Sequence, residues 1–211
     1  MTKDQKEGLV RLARENIKDD DPSHDYWHAL RIMKLAELIA AEEGGDPDIV
    51  VPAALFHDVI IYPKDDPRSP LASVHSADLA RRLLAGTGWY PPDKIEAVAK
   101  AIERCSFSKA LPKERIEEHI LQDADLLESL GAIAVARTFS SSGQMRRRFY
   151  DPDDPRAERR QPVAKGNALD LFPVRLFQAA GRLHTAAAKK MAVRREAFLH
   201  VFYAEFLKDI E

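Results

Sequence analysis

Residues 52–60 form an apolar stretch that is interrupted by two adjacent polar residues, His57 and Asp58. An apolar helix rarely ends on two such side chains without a partner, because burying an unpaired polar group costs about 2 kcal/mol or more. A divalent cation is one suitable partner, since imidazole and carboxylate are good ligands for zinc, iron and manganese. The alternative is a helix end at which the two side chains hydrogen-bond to each other and to free carbonyls.

Helical periodicity accounts for most of the remaining chain, and no segment shows the apolar–polar alternation of a strand. Glycines, prolines and aspartates separate the periodic segments. The pattern predicts helices at residues 3–18, 24–43, 49–58, 71–85, 91–105, 112–131, 132–139, 169–181 and 185–210. Ser23 is the expected N-cap of the second helix. The predicted fold class is therefore all-α, a compact multi-helix bundle.

Residues 140–166 break the helical pattern. They contain two runs of arginine, at 146–148 and 159–160, together with Asp-Pro turns. A loop of more than about 20 residues in a compact domain is usually functional or mobile. The arginines are interpreted either as a solvated surface or as a lid that gathers phosphate. We expect one domain over residues 1–211, with this long loop as a mobile segment.

The composition excludes several classes of protein. The net charge of −2 gives no general attraction to nucleic acid or to anionic membranes. The single cysteine, Cys105, excludes an intrachain disulfide and suits a reducing compartment. Residues 1–18 lack the apolar core of a signal peptide, and no apolar run approaches membrane-spanning length. We expect a cytoplasmic protein without a membrane or stable nucleic-acid partner, and homo-oligomerisation stays open.

Side chains of the metal-ligand type occur on three predicted helices: His28, the pair His57 and Asp58, and an aspartate at 123 or 125. Asp123 and Asp125 point about 200° apart around a helix, so they cannot both face one site. His24 lies four residues before His28 and shares its face. Helical bundles build metal sites from inward-facing side chains on neighbouring helices. A mixed set of His and Asp ligands with open positions suits a catalytic ion.

The order of these motifs resembles the HD-domain superfamily of metal-dependent phosphohydrolases, and most closely its small, single-domain bacterial members. The segments that carry the resemblance are 23–28, 57–64, 122–139, 168–170 and 184–186, and it extends from residue 23 to the C-terminus. It implies that the metal ligands are His28, His57, Asp58 and Asp125, because the family aspartate lies in Ala-Asp-x-Leu, here residues 124–127. Cys105 stands where related sequences often carry a histidine, which indicates one divalent ion (Mn, Mg, Fe, Ni, Co or Zn) rather than two.

The resemblance implies hydrolysis of a phosphate ester or anhydride in a nucleotide or a similar small molecule. The implied catalytic residues are Asp58, His24, Lys64, Asp65 and Arg31. Cationic side chains would stabilise phosphoryl charge, and the candidates are Arg31, Lys64, Arg68 and Arg175. Asp65 or Asp66 would orient the attacking water. His24 would donate a proton to the leaving group or support the metal ligands.

Other functions stay open at this point. Among hydrolases, a nucleoside triphosphate pyrophosphohydrolase, a nucleotidase and a cyclic-nucleotide phosphodiesterase are all compatible, although the apolar residues 59–61 disfavour the nucleotidase. A di-iron oxygenase of the same fold needs extra histidines, for which only His75 and His119 are available. A non-catalytic nucleotide-binding module would have little need for all four ligands. Trp27 and Trp89 are interpreted as core or rim packing rather than as base-stacking platforms.

Overall fold

A computed structural model describes residues 1–18, 21, 23–63, 66–106 and 112–210. Within these ranges the regular elements are helices, which confirms the all-α prediction. The α-helices are α1 (Lys3–Asn16), α2 (Tyr26–Glu43), α3 (Pro47–Phe56), α4 (Ala72–Gly86), α5 (Pro92–Cys105), α6 (Ile116–Leu127), α7 (Gly131–Gln144), α8 (Leu171–Val174) and α9 (Ala186–Lys208). The chain divides into two compact units, Met1–Asp125 and Leu126–Glu211. None of the helices described combines the length and the apolar character needed to cross a bilayer.

Helix α3 is the central helix of the first unit, where it packs against α1, α2, α4 and α5. Residues 49–56 are all buried, as expected for a helix that is apolar on every side. Asp46 caps the helix by accepting a hydrogen bond from the N–H of Asp48. Pro52 cannot donate to the carbonyl of Asp48, and the hydroxyl of Tyr90 donates to that carbonyl instead. The most buried helix of the unit therefore ends at residue 56, directly before the His-Asp pair.

Helix α2 begins two residues later than the sequence pattern predicts. Asp25 is the N-cap, since its carboxylate accepts from the backbone N–H of His28 at 2.7 Å. The prediction that Ser23 caps this helix is therefore wrong, and His24 precedes the helix rather than belonging to it. A carboxylate also interacts more favourably than a hydroxyl with the positive end of the helix dipole. The helix ends at Gly44, whose φ of +83° suits glycine.

In the second unit, two helix boundaries differ from those that the sequence predicts. Helix α7 extends to Gln144, so the irregular segment begins at residue 145 and not at 140. Residues 169–181 do not form one helix but the short α8 and two 3₁₀ turns, Leu176–Gln178 and Ala180–Arg182. Pro173 explains the difference, because its ring would clash with the carbonyl of residue 169 in a helix that started there.

Residues 145–170 are irregular but carry specific contacts within the second unit. The guanidinium of Arg160 donates to both carboxylate oxygens of the buried Asp170, at 2.6 and 2.7 Å. Phe149 packs edge-on against Phe139 of α7, with ring centroids 5.2 Å apart. One arginine of the second run is therefore part of a structural ion pair and not of a solvated surface.

Candidate metal centre

Two buried imidazole rings face each other at the ends of α2 and α3. His28 and His57 are each only 1% exposed, and their Nε2 atoms are 3.2 Å apart. The Nδ1 atom of His57 donates to the carbonyl of Ala54 at 2.8 Å, so the lone pair of its Nε2 points toward His28. Two nitrogen ligands that each lie about 2.1 Å from one ion are about 3.0–3.4 Å apart. The observed spacing therefore fits a shared cation.

Two carboxylates border this pair of nitrogens. The Oδ2 atom of Asp58 lies 3.6 Å from Nε2 of His57 and 3.8 Å from Nε2 of His28. The Oδ1 atom of Asp125 lies 3.9 Å from Nε2 of His28. Both carboxylates are partly exposed, 32% for Asp58 and 41% for Asp125, whereas the imidazoles are buried. The cluster is therefore open to solvent on its carboxylate side, where a substrate can approach.

The described residues include a group suited to hold a metal ion, formed by His28, His57 and Asp125, whose ligand atoms all lie within 4.8 Å of one another. Asp58 does not belong to this group, although its Oδ2 atom lies 3.6 and 3.8 Å from the two Nε2 atoms, and Asp123, which is fully buried, does not belong to it either. His75 and His119 are the histidines that a second iron would require. In the part of the chain that the structure describes, they do not belong to this group. Among the described residues the structure therefore forms one such group.

Hydrogen bonds hold the chain on both sides of the cluster. The carboxylate of Asp25 binds the backbone N–H of His28, so the cap of α2 also fixes the residue that carries the first imidazole. The backbone N–H of Ile60 donates to the hydroxyl of Ser76 at 3.0 Å, and that hydroxyl lies 3.2 Å from the carbonyl of Ile60. These contacts attach the segment that follows Asp58 to α4. Asp25 and Ser76 were not identified as supporting residues from the sequence.

His24 lies beside His28 and has a carboxylate partner. Its ring centroid is 5.6 Å from that of His28, in an edge-on arrangement. Its Nδ1 lies 3.0 Å from Oδ2 of Asp21, whose other oxygen accepts from the backbone N–H of Ser23. Asp21 therefore orients the imidazole of His24. Sequence reasoning interpreted Asp21 only as part of a helix-breaking run, although the Asp-x-x-His spacing was visible.

The structure describes only some of the other predicted catalytic and phosphate-binding residues. Two of them lie outside the described residues: Lys64 and Asp65. Asp66 and Arg68 pair with each other, with Nη2 of Arg68 2.7 Å from Oδ2 of Asp66. Hydrogen bonds from Arg68 lower the pKa of Asp66 to about 2. Arg31 is partly exposed on α2, three residues after His28, whereas Arg175 is exposed in the second unit.

Two further sequence interpretations concern Cys105 and the tryptophans. Cys105 is a buried free thiol, and its backbone carbonyl accepts from the side chain of Gln122 at 3.0 Å. It is therefore a packed core residue, as the sequence indicated. Trp27 is 60% exposed and Trp89 39% exposed, so Trp27 in particular is not a core residue.

The family model for the HD domain matches residues 26–130. The chain is 28% identical to the Bacillus subtilis protein YpgQ, over 98% of this chain and 94% of YpgQ. The crystal structure of YpgQ in complex with ADP is similar, with a TM-score of 0.74 and 25% identity, covering 98% of this chain and all of that one (100%).

Two more solved structures are similar over nearly their whole lengths. A Lactobacillus plantarum protein has a TM-score of 0.76 and 30% identity, covering 99% of this chain and 98% of that chain. An HD-superfamily hydrolase from Bacillus thuringiensis has a TM-score of 0.71 and 27% identity, covering 98% of this chain and 96% of that chain. The likeness therefore includes residues beyond the 26–130 range of the family model.

Proposed function

Because this chain belongs to the HD-domain superfamily, we propose that it is a divalent-metal-dependent phosphohydrolase acting on a nucleotide or a similar small phosphate ester or anhydride. The observation that carries the proposal is the 3.2 Å separation of the Nε2 atoms of His28 and His57, with two carboxylates beside them. The crystallisation of the related YpgQ with ADP supports a nucleotide as the ligand.

In this proposal His28, His57, Asp58 and Asp125 are the ligands of one divalent cation. Two imidazoles with two carboxylates suit Mn²⁺, Fe²⁺, Co²⁺, Ni²⁺ or Zn²⁺ better than Mg²⁺, which prefers oxygen ligands alone. When bound, such a cation neutralises charge on a phosphoryl group and acidifies a water molecule. The partly exposed carboxylates leave room for that water and for a phosphate oxygen on the solvent side.

The neighbouring side chains have separate proposed tasks. Arg31 lies nearly one turn beyond His28 and would bind phosphate oxygens, where a guanidinium stabilises charge that develops during phosphoryl transfer. His24 would donate a proton from Nε2 to the leaving oxygen, since Asp21 occupies its Nδ1. The assignments of Lys64 to phosphate binding and of Asp65 to water orientation stay predictions.

The test is a phosphate-release screen on protein that has been stripped of metal and then reloaded with Mn²⁺, Co²⁺ or Zn²⁺. The substrates are nucleoside mono-, di- and triphosphates and cyclic nucleotides, with release of phosphate and pyrophosphate measured separately. We expect turnover of at least one nucleotide with reloaded protein and none after chelation. Two irons per chain without phosphate release would indicate an oxygenase instead, and tight nucleotide binding without turnover in any metal would indicate a binding module.

A further inference from the structure

Trp27 has the largest exposed fraction, 60%, among the tryptophan and phenylalanine residues in the described part of the chain. It directly precedes the buried ligand His28 on α2, so an apolar ring lies on the surface next to a polar cluster. On one side the ring has support, since it meets the buried Tyr26 edge-on with centroids 5.4 Å apart. One side of the indole therefore packs against Tyr26, while most of Trp27 is exposed to solvent, one residue before His28 of the candidate metal centre.

The position of Trp27 around α2 relates it to the phosphate-binding candidate. Because successive residues of a helix are about 100° apart, Arg31 lies about 40° from Trp27 and about 60° from His28. The exposed indole, the guanidinium and the buried imidazole therefore occupy successive sectors around α2, in that order. On a helix with a diameter of about 10–12 Å including side chains, two side chains 100° apart are separated by about 8–9 Å. The order matches that of base and phosphates in a nucleotide whose terminal phosphates reach the cation.

We propose that Trp27 forms the nucleobase subsite of this centre, with the base stacked on the exposed indole. The inference rests on the proposed function and adds the part of the substrate that the metal ligands do not contact. Stacking tolerates every base because each has a π-face, so the subsite would favour nucleotides over inorganic polyphosphates while discriminating weakly among bases. Purines, with their larger ring systems, would bind more tightly than pyrimidines.

Trp89 provides a matched control in the same unit. It is 39% exposed and meets Tyr90 edge-on with centroids 6.2 Å apart. Its ring also lies against α1, because a Cβ added to Gly8 would be 3.2 Å from its Cζ2 atom. Trp89 is therefore a packing residue, and changing it conservatively to Phe should not affect ligand binding.

The experiment compares wild type with Trp27→Ala, Trp27→Phe and Trp89→Phe, all loaded with Mn²⁺. Calorimetry gives Kd for ADP and for inorganic pyrophosphate, and kinetics gives KM and kcat for ATP and for inorganic tripolyphosphate. We expect Trp27→Ala to weaken ADP binding about 10-fold or more, as loss of a stacking ring does. Its Kd for pyrophosphate should stay unchanged, Trp27→Phe should be intermediate, and Trp89→Phe should match wild type.

Several outcomes would overturn the subsite. Equal effects of Trp27→Ala on ADP and on pyrophosphate would indicate a change in the metal centre, and no effect on either would exclude stacking. If the wild-type Kd for ADP were no lower than that for pyrophosphate, stacking on Trp27 would also be excluded. If wild type binds ADP but hydrolyses nothing, the proposed hydrolase fails while the binding comparison still decides the role of Trp27.

Discussion

Replacement of Asp58 by Asn separates metal binding from folding. Asp58→Asn keeps the shape of the side chain but removes its charge at a site where Oδ2 lies 3.6 and 3.8 Å from two imidazole nitrogens. The side chain is 32% exposed. The free energy of unfolding of the metal-free variant should therefore lie within about 0.5 kcal/mol of that of metal-free wild type. Its affinity for the cation should fall at least about 100-fold, because the loss of even an indirect partner of a metal ligand costs about 10–100-fold.

The expected change in thermal stability follows from mass action. A cation at 100 times its Kd stabilises the wild-type fold by about 2.7 kcal/mol, whereas after a 100-fold loss of affinity the same concentration contributes about 0.4 kcal/mol. For a chain of this size one kcal/mol corresponds to about 2–4 °C in Tm. Metal should therefore raise the wild-type Tm by about 5–11 °C and that of Asp58→Asn by about 1–2 °C.

The assay is differential scanning calorimetry with and without Mn²⁺. Asp78→Asn is the matched control, because Asp78 is a partly exposed carboxylate of α4 that pairs with Arg81 at 2.9 Å. The control should retain the full metal-induced shift. If Asp58→Asn also retained it, Asp58 would not be a ligand, and if metal-free Asp58→Asn were already strongly destabilised, the carboxylate would have a structural role that the distances do not explain.

Two further predictions concern stability. Arg104→Met should lower the free energy of unfolding by about 3 kcal/mol, because it leaves the buried carboxylate of Glu118 without its guanidinium partner. In urea titrations, the double variant with Glu118→Gln should recover part of this loss. If it recovered none, the ion-pair explanation would be contradicted. In the second unit, burial raises the pKa of Asp170, but hydrogen bonds from Arg160 and from the N–H of Val163 outweigh it, so the pKa lies below 3.8. The ionised Asp170 therefore stabilises the fold fully at pH values above the ordinary carboxyl pKa, and this stabilisation is lost as the pH falls through the lowered pKa. Asp170→Asn should cost about 2 kcal/mol of stability at pH 7. The curves of Tm against pH for wild type and for this variant should converge in acid. A constant difference between the two curves at every pH would contradict this sign.

The helices were largely predictable because their boundaries depend on local chemistry. Apolar spacing, Gly44 and the proline-rich segments mark most ends to within a few residues. Pro173 was a visible signal against a single helix at 169–181, whereas the errors at the start of α2 and the end of α7 come from choices that the local sequence leaves open. Ser23 and Asp25 are both good caps, and only the path of the chain selects Asp25. Serines at 140–142 have modest helix propensity, yet they continue α7, whose Thr138 and Ser142 are buried.

The candidate site was predictable in its residue types but not in its supporting contacts. His57 and Asp58 were identified because two polar groups follow a buried apolar helix. The choice of Asp125 over Asp123 needed the family resemblance, since helix geometry excludes only their joint use. The pairing of Asp21 with His24 depends on the turn before α2, which periodicity does not describe.

The most direct test of the proposed metal centre is a crystal structure of protein grown with Mn²⁺, with anomalous scattering used to locate the metal. The proposal predicts one peak per chain, in direct coordination contact with Nε2 of both His28 and His57 and with a carboxylate oxygen of both Asp58 and Asp125. Manganese bound elsewhere, or absent from these four side chains at saturating concentration, would contradict it.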